Sequence, residues 1–462
     1  MAKKNRLVQL KAPVQKNDEI EAQVVDLSYQ GMGVVKVDHF PIFVLDALPD
    51  ELVKIQITKV LKNYAFGRVL QRLKASAQRV ELTDQVALSS GIAPLANLAY
   101  PAQLDFKTRQ VEEVFKKQHL SVTVAPTIGM EDPTHYRNKA QVPVQMINGQ
   151  LSTGFYRRGS HRLITTDSFY IQDEHVDQAV RVTRDILRSL GISAYDEDNK
   201  KGVVRHIMAR WGYHSHQLMV VVVTRSAKLP QADRLVEELQ AQLPQLTSVI
   251  QNINGAPTNV IMGAKNHVLW GQPAIEDELL GKRYVIGPNS FYQVNPQTTA
   301  TVYQLAVQAA QLKTSDTVID AYCGIGTIAL TVADQVKQVY GVEVVPEAIK
   351  DAQHNAQLNH VQNVDFVTAD APEQMLAWSQ AGLQPDVIFV DPPRKGLTPE
   401  LIDASVSMQP EKIVYVSCNP ATLARDAAQL AEQGYQIVNP VQPVDQFPQT
   451  LHVECVVTFV KS

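Results

Sequence analysis

A chain of 462 residues, 45% hydrophobic, carries 43 Lys and Arg against 47 Asp and Glu, for a formal net charge of −4. The length suits two or three domains with cores of their own, and the near balance of charge excludes a bulk polyanion-binding surface, so any nucleic-acid contact must come from local clusters. Three cysteines, Cys323, Cys418 and Cys455, are too few for a disulfide framework, and the longest aliphatic run, "LMVVVV" from Leu218, is strand-sized, so we expect a cytoplasmic protein without a membrane span.

The start, "MAKKNRLVQLKAPVQKNDEIEAQ", is basic and lacks the apolar core of a secretory signal. From about Asp18 to Arg72 short strands broken by "SYQGMGV", "DHFP" and "ALPDE" predict a small all-β barrel, within a first domain set at 1–75. Its last third interleaves Lys54, Lys59, Lys62, Arg68 and Arg72 with Tyr64 and Phe66. Such a pattern either tracks a phosphate backbone while stacking bases or is a solvated strand face.

The second region, 76–285, reads as α+β. Apolar spacing at Leu104, Val111 and Val114 predicts a helix from about Leu98 to Gln118; strands follow from Tyr136, with "NG" as a hairpin signal, and two more surround the turn "GYHSH". Its segments "YRNK" and "FYRRGSHR" mix cations with tyrosines, which taken singly fit surface better than site.

From Gly287 onward β and α patterns alternate, giving a third domain over 286–462. A helix opened by Pro296 is followed by strand, glycine turn and helix in "DTVIDAYCGIGTIALTVADQ", then by strands ending at "VTAD", "VDPPRKG" and "VSCNP", and last by "LHVECVVTFV". Alternation of this kind implies a mostly parallel sheet covered on both faces, with ligands at the carboxyl ends of its strands.

Those strand ends carry the chemistry. Gly324 and Gly326 occupy the first turn; Glu343 closes the next strand, 17 residues later, where a carboxylate can accept from ribose hydroxyls; Asp370 lies where an adenine amino group would sit. With Ala329 in the third glycine position these features do not exclude NAD. What favours S-adenosylmethionine is "DPPRKG", whose prolines stiffen the loop after Asp391, so that Asp391 can share a proton at the edge of a flat heterocycle. The plain alternative makes Asp391 a cap for the helix in "GLTPELIDA".

Cys418 ends the following strand, directly before Asn419 and Pro420. A lone thiol is ordinarily buried and inert. Two features argue for a nucleophile here: the strand end is the functional edge of this architecture, and "NPATLARD" opens a helix whose amides favour a thiolate. Methyl transfer to C5 of uracil needs such a group, because C5 gains enough electron density only after a thiolate adds to C6, and a base must then remove the C5 proton. Glu454, the acid in an otherwise apolar final strand, is placed to be that base. Cys455 points to the opposite face, towards the core.

Taken together, "FYQVN", "DAYCGIGTIAL", "DPPRKG", "VYVSCNPATLARD" and "HVECVV" resemble the motif set of the RNA uracil-C5 methyltransferases, in particular the type acting on 23S rRNA. The resemblance spans Gly287 to the end and extends to the N-terminal barrel, which looks like a TRAM domain, an OB-like RNA-binding module. It implies a Rossmann-like class I methyltransferase domain and S-adenosylmethionine as cofactor. Cys418 becomes the nucleophile, Glu454 the proton acceptor, and Gln293, Tyr322, Glu343 and Asp391 match cofactor-contacting positions, with Asp391 also facing the uracil. Many relatives hold an iron-sulfur cluster on four cysteines; here Ser90, Gly91, Ile92 and Ala93 stand at the C-G-G-C-like position and no cysteine precedes Cys323, so we expect no cluster and a packed replacement.

The expected partner is RNA, 23S rRNA before tRNA, with the target uridine unpaired or flipped out, and the expected state is a monomer. Two rivals stand beside this reading: methylation of a nitrogen, which needs no thiol, and an RNA-binding factor with a vestigial methyltransferase domain.

Overall fold

The computed structural model describes residues 12–82, 86–160 and 162–461. Most of the basic start, the opening Asp84 and Gln85 of the segment before "VALSSGIAP", and His161 of "FYRRGSHR" lie outside the described residues.

In the N-terminal region the strands Glu19–Gln23, Asp26–Leu27, Gly33–Val37, Phe40–Leu45, Leu52–Val60 and Ala65–Lys74 pair in the order first, fifth, sixth, fourth, third, second. The two edges of this sheet are consecutive in the chain and only Val24 and Val25 separate them. Val24 N donates to Glu51 O and Val25 N to Val34 O, so the short link between the edge strands is bonded to the neighbour of each, but among the described residues no strand pairing joins the two edges to close the expected barrel. Alternation along "LVKIQITKV" turns Val53, Ile55 and Ile57 inward against Val35, Ile42 and Val44.

Part of the basic stripe is occupied within this sheet. Lys54 pairs with Glu19 at 2.8 Å, Arg72 lies 3.1 Å from the buried Glu51, and Arg68 donates to Gln56 at 2.8 Å. Lys59 and Lys62 are exposed beside Tyr64, whose ring meets Phe43 and Phe66 edge-on at 5.6 and 5.5 Å.

The second sheet orders its strands as Lys265–Gly271, Leu246–Ile253, Leu218–Thr224, Val204–Trp211, Lys139–Ile147, Gln150–Tyr156 and Leu163–Thr165. Asn148 and Gly149, at φ of 50° and 79°, form the tight hairpin turn the "NG" pair predicts. Helices Glu174–Ser189 and Ala232–Gln242 cover one face; from the other, Met208, Met219, Val221 and Ile250 pack into the same core as Tyr284 and, from the C-terminal region, Tyr303.

Helix Tyr100–Lys117 does not join that second sheet. Val111 and Phe115 bury against Ile319, Ala321 and Ile388 of the third sheet, and the fully buried Lys107 pairs with Asp445 while donating to Phe447 O at 3.1 Å. Gln103 adds a 2.8 Å bond to Gln449.

The third sheet runs Val364–Thr368, Gln338–Glu343, Thr317–Ala321, Val387–Val390, Lys412–Ser417, Glu454–Lys461 and Tyr435–Ile437, with Gln442–Val444 also on the last long strand. The first five are mutually parallel and Glu454–Lys461 is antiparallel. Chain order reverses between Thr317–Ala321 and Val387–Val390, and a crevice opens at the carboxyl ends beside such a switch point. This is the Rossmann-like domain expected. Among the described residues no helix is long and apolar enough to cross a membrane.

Candidate active site

Strand Thr317–Ala321 leads into a turn with three left-handed residues, Tyr322, Gly324 and Gly326, at φ of 83°, 55° and 86°. At Gly326, which precedes helix Thr327–Ala333, an added Cβ would sit 3.1 Å from Phe366 Cζ; at Gly324 it would meet nothing within 4 Å. Gly326 therefore serves close packing and Gly324 leaves backbone open to the crevice. Tyr322 holds this conformation at a cost of about 1–2 kcal/mol, the strain that clusters at functional turns. Burial, followed by the charges of Asp370, Asp426 and Glu343, pushes its phenol up to about 12, which places those acids around the same turn.

Glu343 ends strand Gln338–Glu343 and accepts from Val345 N at 3.0 Å, with Val344 and Val345 exposed beyond it. Asp370 stands at the N-cap of helix Ala371–Gln380, yet its carboxylate makes no cap bond. Asp320 was not singled out in the sequence. Its Oδ2 accepts from Ala329 N at 2.9 Å, its buried Oδ1 has no partner, and burial pushes its carboxyl up to about 7. The signal was available, since it is the acid in the apolar strand "TVIDA".

Sheet register brings the three reactive side chains together. Ser417 pairs with Cys455, so the next residue, Cys418, comes opposite Glu454; Val390 pairs with Tyr415, so Asp391 follows one strand away. The loop after Asp391 is clamped to helix Pro420–Glu432: Asn419 donates to Arg394 O at 2.8 Å, Arg425 to Lys395 O at 2.9 Å, and Leu397 N to Asp426 at 2.8 Å. Gly396, at φ 75°, has no room for a side chain, because a Cβ there would lie 2.5 Å from Asp426 Oδ2. The cap of the helix that follows is Thr398, not Asp391.

Electrostatically the site is strained. Burial, then the nearby Glu454 and Asp391, pushes the Cys418 thiol up to about 11, with Arg394 opposing. Asn419 caps the helix that follows by accepting from Ala421 N at 3.2 Å. Burial raises Asp391 to about 7, and burial together with Asp391 holds Glu454 well above the usual carboxylate range. Cys323 and Cys455 are buried, 3% and 0% exposed, Cys455 in the core as its strand parity predicts.

Gln293 lies between strand Lys282–Ile286 and helix Pro296–Ala310, in a narrow crevice shared with Thr299, Val302, Tyr303, Val416, Gln446 and Glu454. Thr299 and Gln446 were missed, being polar residues in a helix and in an irregular segment where no periodicity marks them. The segment at the C-G-G-C-like position follows helix Val86–Ser90 and packs Ala87, Ala93 and Ala96 against Tyr136 and Ile171. Among the described residues no group of three or more His, Cys, Asp or Glu is arranged to hold a metal ion.

A model of the tRNA (uracil-5-)-methyltransferase family matches residues 99–462, and a TRAM-domain model matches residues 13–70. A Lactiplantibacillus plantarum protein described as an uncharacterized RNA methyltransferase is 53% identical over 96% of this chain and 97% of its own. An Enterococcus faecalis protein of the same description is 49% identical over 97% and 99%. The crystal structure of Pyrococcus abyssi tRNA (uracil-54, C5)-methyltransferase in complex with S-adenosyl-L-homocysteine covers 96% of this chain and 100% of that one, with a TM-score of 0.76 at 24% identity, a likeness of fold.

Proposed function

This chain belongs to the tRNA (uracil-5-)-methyltransferase family and is an S-adenosylmethionine-dependent RNA uracil-C5 methyltransferase, and from that premise we propose that its target is a specific uridine of 23S rRNA, attacked by Cys418 and relieved of its C5 proton by Glu454. The observation that carries the reading is the convergence of a thiol and two carboxyls with raised pKa at neighbouring strand ends.

The crevice fits the methyl donor. Gly324 leaves backbone open, Asp320 Oδ1 is without a partner, and the Asp370 carboxylate is unused by its helix. In this reading Glu343 accepts from the ribose hydroxyls, Asp370 faces the adenine, Tyr322, Gly324 and Gly326 shape the turn beneath, and Gln293 and Asp391 flank the reacting end. When bound, S-adenosylmethionine supplies an electrophilic methyl group.

The Cys418 thiol gives up its proton to a neighbouring carboxylate. Asp391, at about 7, is a better acceptor than a carboxylate of ordinary pKa. The sulfur adds to C6 of the uracil, the ring electrons make C5 nucleophilic as an enolate, and C5 becomes methylated. Glu454 then takes the C5 hydrogen as a proton, the C5=C6 bond re-forms, and the thiolate leaves. The TRAM domain and the basic segments of the central region hold the surrounding RNA while the uridine is flipped out, at a cost of about a few kcal/mol. We place the enzyme in the cytoplasm as a monomer.

The test incubates the protein with labelled S-adenosylmethionine and unmodified 23S rRNA and maps the product nucleosides. 5-Methyluridine at defined positions supports the reading. A second reading, tRNA as substrate, is favoured by the description of the Pyrococcus protein, and methylation of unmodified tRNA but not rRNA in the same assay selects it.

A further inference from the structure

Strand Lys139–Ile147 pairs with Val204–Trp211 so that Lys139 lies directly opposite Arg210, and Gln141 opposite Met208. Side chains alternate along a strand, so Arg210 shares a face with Met208, whose side chain packs into the core shared with the C-terminal region, and Lys139 lies on that face beside it. Arg210 is 2% exposed and donates to Gly287 O at 3.3 Å and to Ser290 O at 2.9 Å, in the loop that leads to Gln293. Arg137 stands two residues before Lys139, held on both sides. The Tyr136 hydroxyl donates to Pro448 O at 3.0 Å and Asn138 N to Val294 O at 2.9 Å, in the two segments that bring Gln293, Gln446 and Glu454 to the crevice. Burial, followed by Arg394, Lys107 and Arg137, pushes the His452 imidazole down to about 4, which places Arg137 near the histidine that meets Arg394 at 3.2 Å.

Among the described residues neither the Arg137 guanidinium nor the Lys139 ammonium group has a hydrogen-bond acceptor or a carboxylate partner. Both residues are half-buried, and their nitrogens are not sealed from solvent as Arg210 Nε is. Burial, then the like charges of Arg210 and Arg137, pushes Lys139 down to about 7, and burial lowers Arg137 and Arg210 as well. Other buried cations are paired: Lys107 with Asp445, Arg79 with Glu51 at 2.6 Å, Arg184 with Asp167. Like charges set directly opposite each other cost stability, and folding by itself gains nothing from desolvating them. What these donors lack is an anion. The planar fork of arginine suits a phosphate, with lysine adding a second point of charge. A uridine rotated out of its stack turns about its own backbone, which carries its flanking phosphates to the mouth of the crevice.

We propose that Arg137 and Lys139 form a binding site for one backbone phosphate of the RNA beside the flipped uridine, a site that deepens the RNA-substrate reading above and rests on it. Arg210, engaged by the two carbonyls, adds positive potential behind them. The segment "YRNK" thereby holds the target nucleotide itself, where basic residues further out contact the RNA at large. The methyl donor's carboxylate is the other anion of the reaction, and the experiment separates the two.

The test uses the full chain, S-adenosylmethionine and a short RNA that the wild-type protein methylates, with each phosphate flanking the target uridine replaced in turn by an uncharged methylphosphonate. One such replacement lowers wild-type kcat/KM about tenfold, chiefly through KM. Arg137→Met and Lys139→Met each lower kcat/KM on the unmodified RNA by about the same factor. In either variant that replacement costs little more, the non-additivity of groups in contact, and affinity for S-adenosylmethionine in calorimetry stays at the wild-type value. The scan with wild-type protein stands even where a variant does not fold: full activity on every methylphosphonate RNA overturns the proposal. Losses that multiply in both variants overturn it too, as does donor affinity falling in step with activity, which assigns the cations to the donor's carboxylate. A wild-type chain that methylates no RNA overturns the underlying reading instead.

Discussion

Glu51 in the N-terminal sheet and Glu454 at the head of the last long strand are both buried glutamates, 0% and 4% exposed, in opposite electrostatic states. Burial pulls Glu51 upward, but bonds from Arg79, Leu48 N and Ser76 N, with Arg72 at 3.1 Å, carry its pKa below the ordinary carboxylate value. Glu454 has burial and the neighbouring Asp391 acting on it in the same direction, with only Arg394 opposing, and its pKa is raised. The first arrangement ties the N-terminal sheet to the segment that follows it. The second leaves a group close to its proton, as a base working near neutrality requires. Charge that a fold neutralises is structural, and charge it leaves uncompensated marks chemistry.

The largest effect that could break this comparison is at Cys418. Cys418→Ala is expected to lower methyl transfer about 10⁴-fold or more while S-adenosylmethionine still binds in calorimetry. Retained activity would favour methylation of a nitrogen, and failure of the wild-type chain to bind the donor would favour a vestigial domain. Glu454→Gln should slow turnover by about 10²–10⁴-fold and let a methylated covalent adduct accumulate on denaturing gels.

Stability sharpens the contrast through its sign. Because the folded pKa of Glu454 is raised, the native state holds a proton the unfolded chain has lost, and stability falls as pH rises from the ordinary glutamate value towards the folded one. Glu454→Gln should therefore raise the melting temperature at pH 8 and leave it nearly unchanged at pH 4. Glu51 has a lowered pKa, so its contribution is present above the ordinary glutamate value and lost as pH falls through the folded one. Glu51→Gln should cost about 3 kcal/mol at pH 7, read from denaturant midpoints, and less in acid. The smallest effect concerns RNA. Lys59→Ala and Lys62→Ala should each reduce the salt slope of RNA binding by about 1, whereas Lys54→Ala, whose charge is held by Glu19, should leave it unchanged.

Much of this was legible in the chain. The β/α alternation after Gly287 requires a parallel sheet, and an acid in the apolar run "HVECVVTFV" is costly enough to draw notice on its own. The same logic applied to "TVIDA" would have found Asp320. Other features depend on contacts that local pattern does not encode. The apolar spacing of helix Tyr100–Lys117 marks Val111 as buried but picks Leu104 and Val114 rather than Phe115 beside it and does not show which sheet they meet, and Lys107 reads as a surface cation until Asp445 is folded against it. "DPPRKG" reads as a stiff loop, while the need for glycine at 396 arises from Asp426, thirty residues on. For Cys418 the sequence displays the helix N-terminus that would lower the thiol's pKa and hides the burial and two carboxyls that raise it.

The most direct measurement replaces the target uridine with 5-fluorouridine, whose fluorine cannot be removed as a proton is. Incubated with S-adenosylmethionine and the protein, such RNA is predicted to give a stable covalent species that peptide mass spectrometry places on Cys418, with the transferred methyl on the trapped ring. Unattached RNA under conditions where the same preparation methylates the normal transcript would contradict the account.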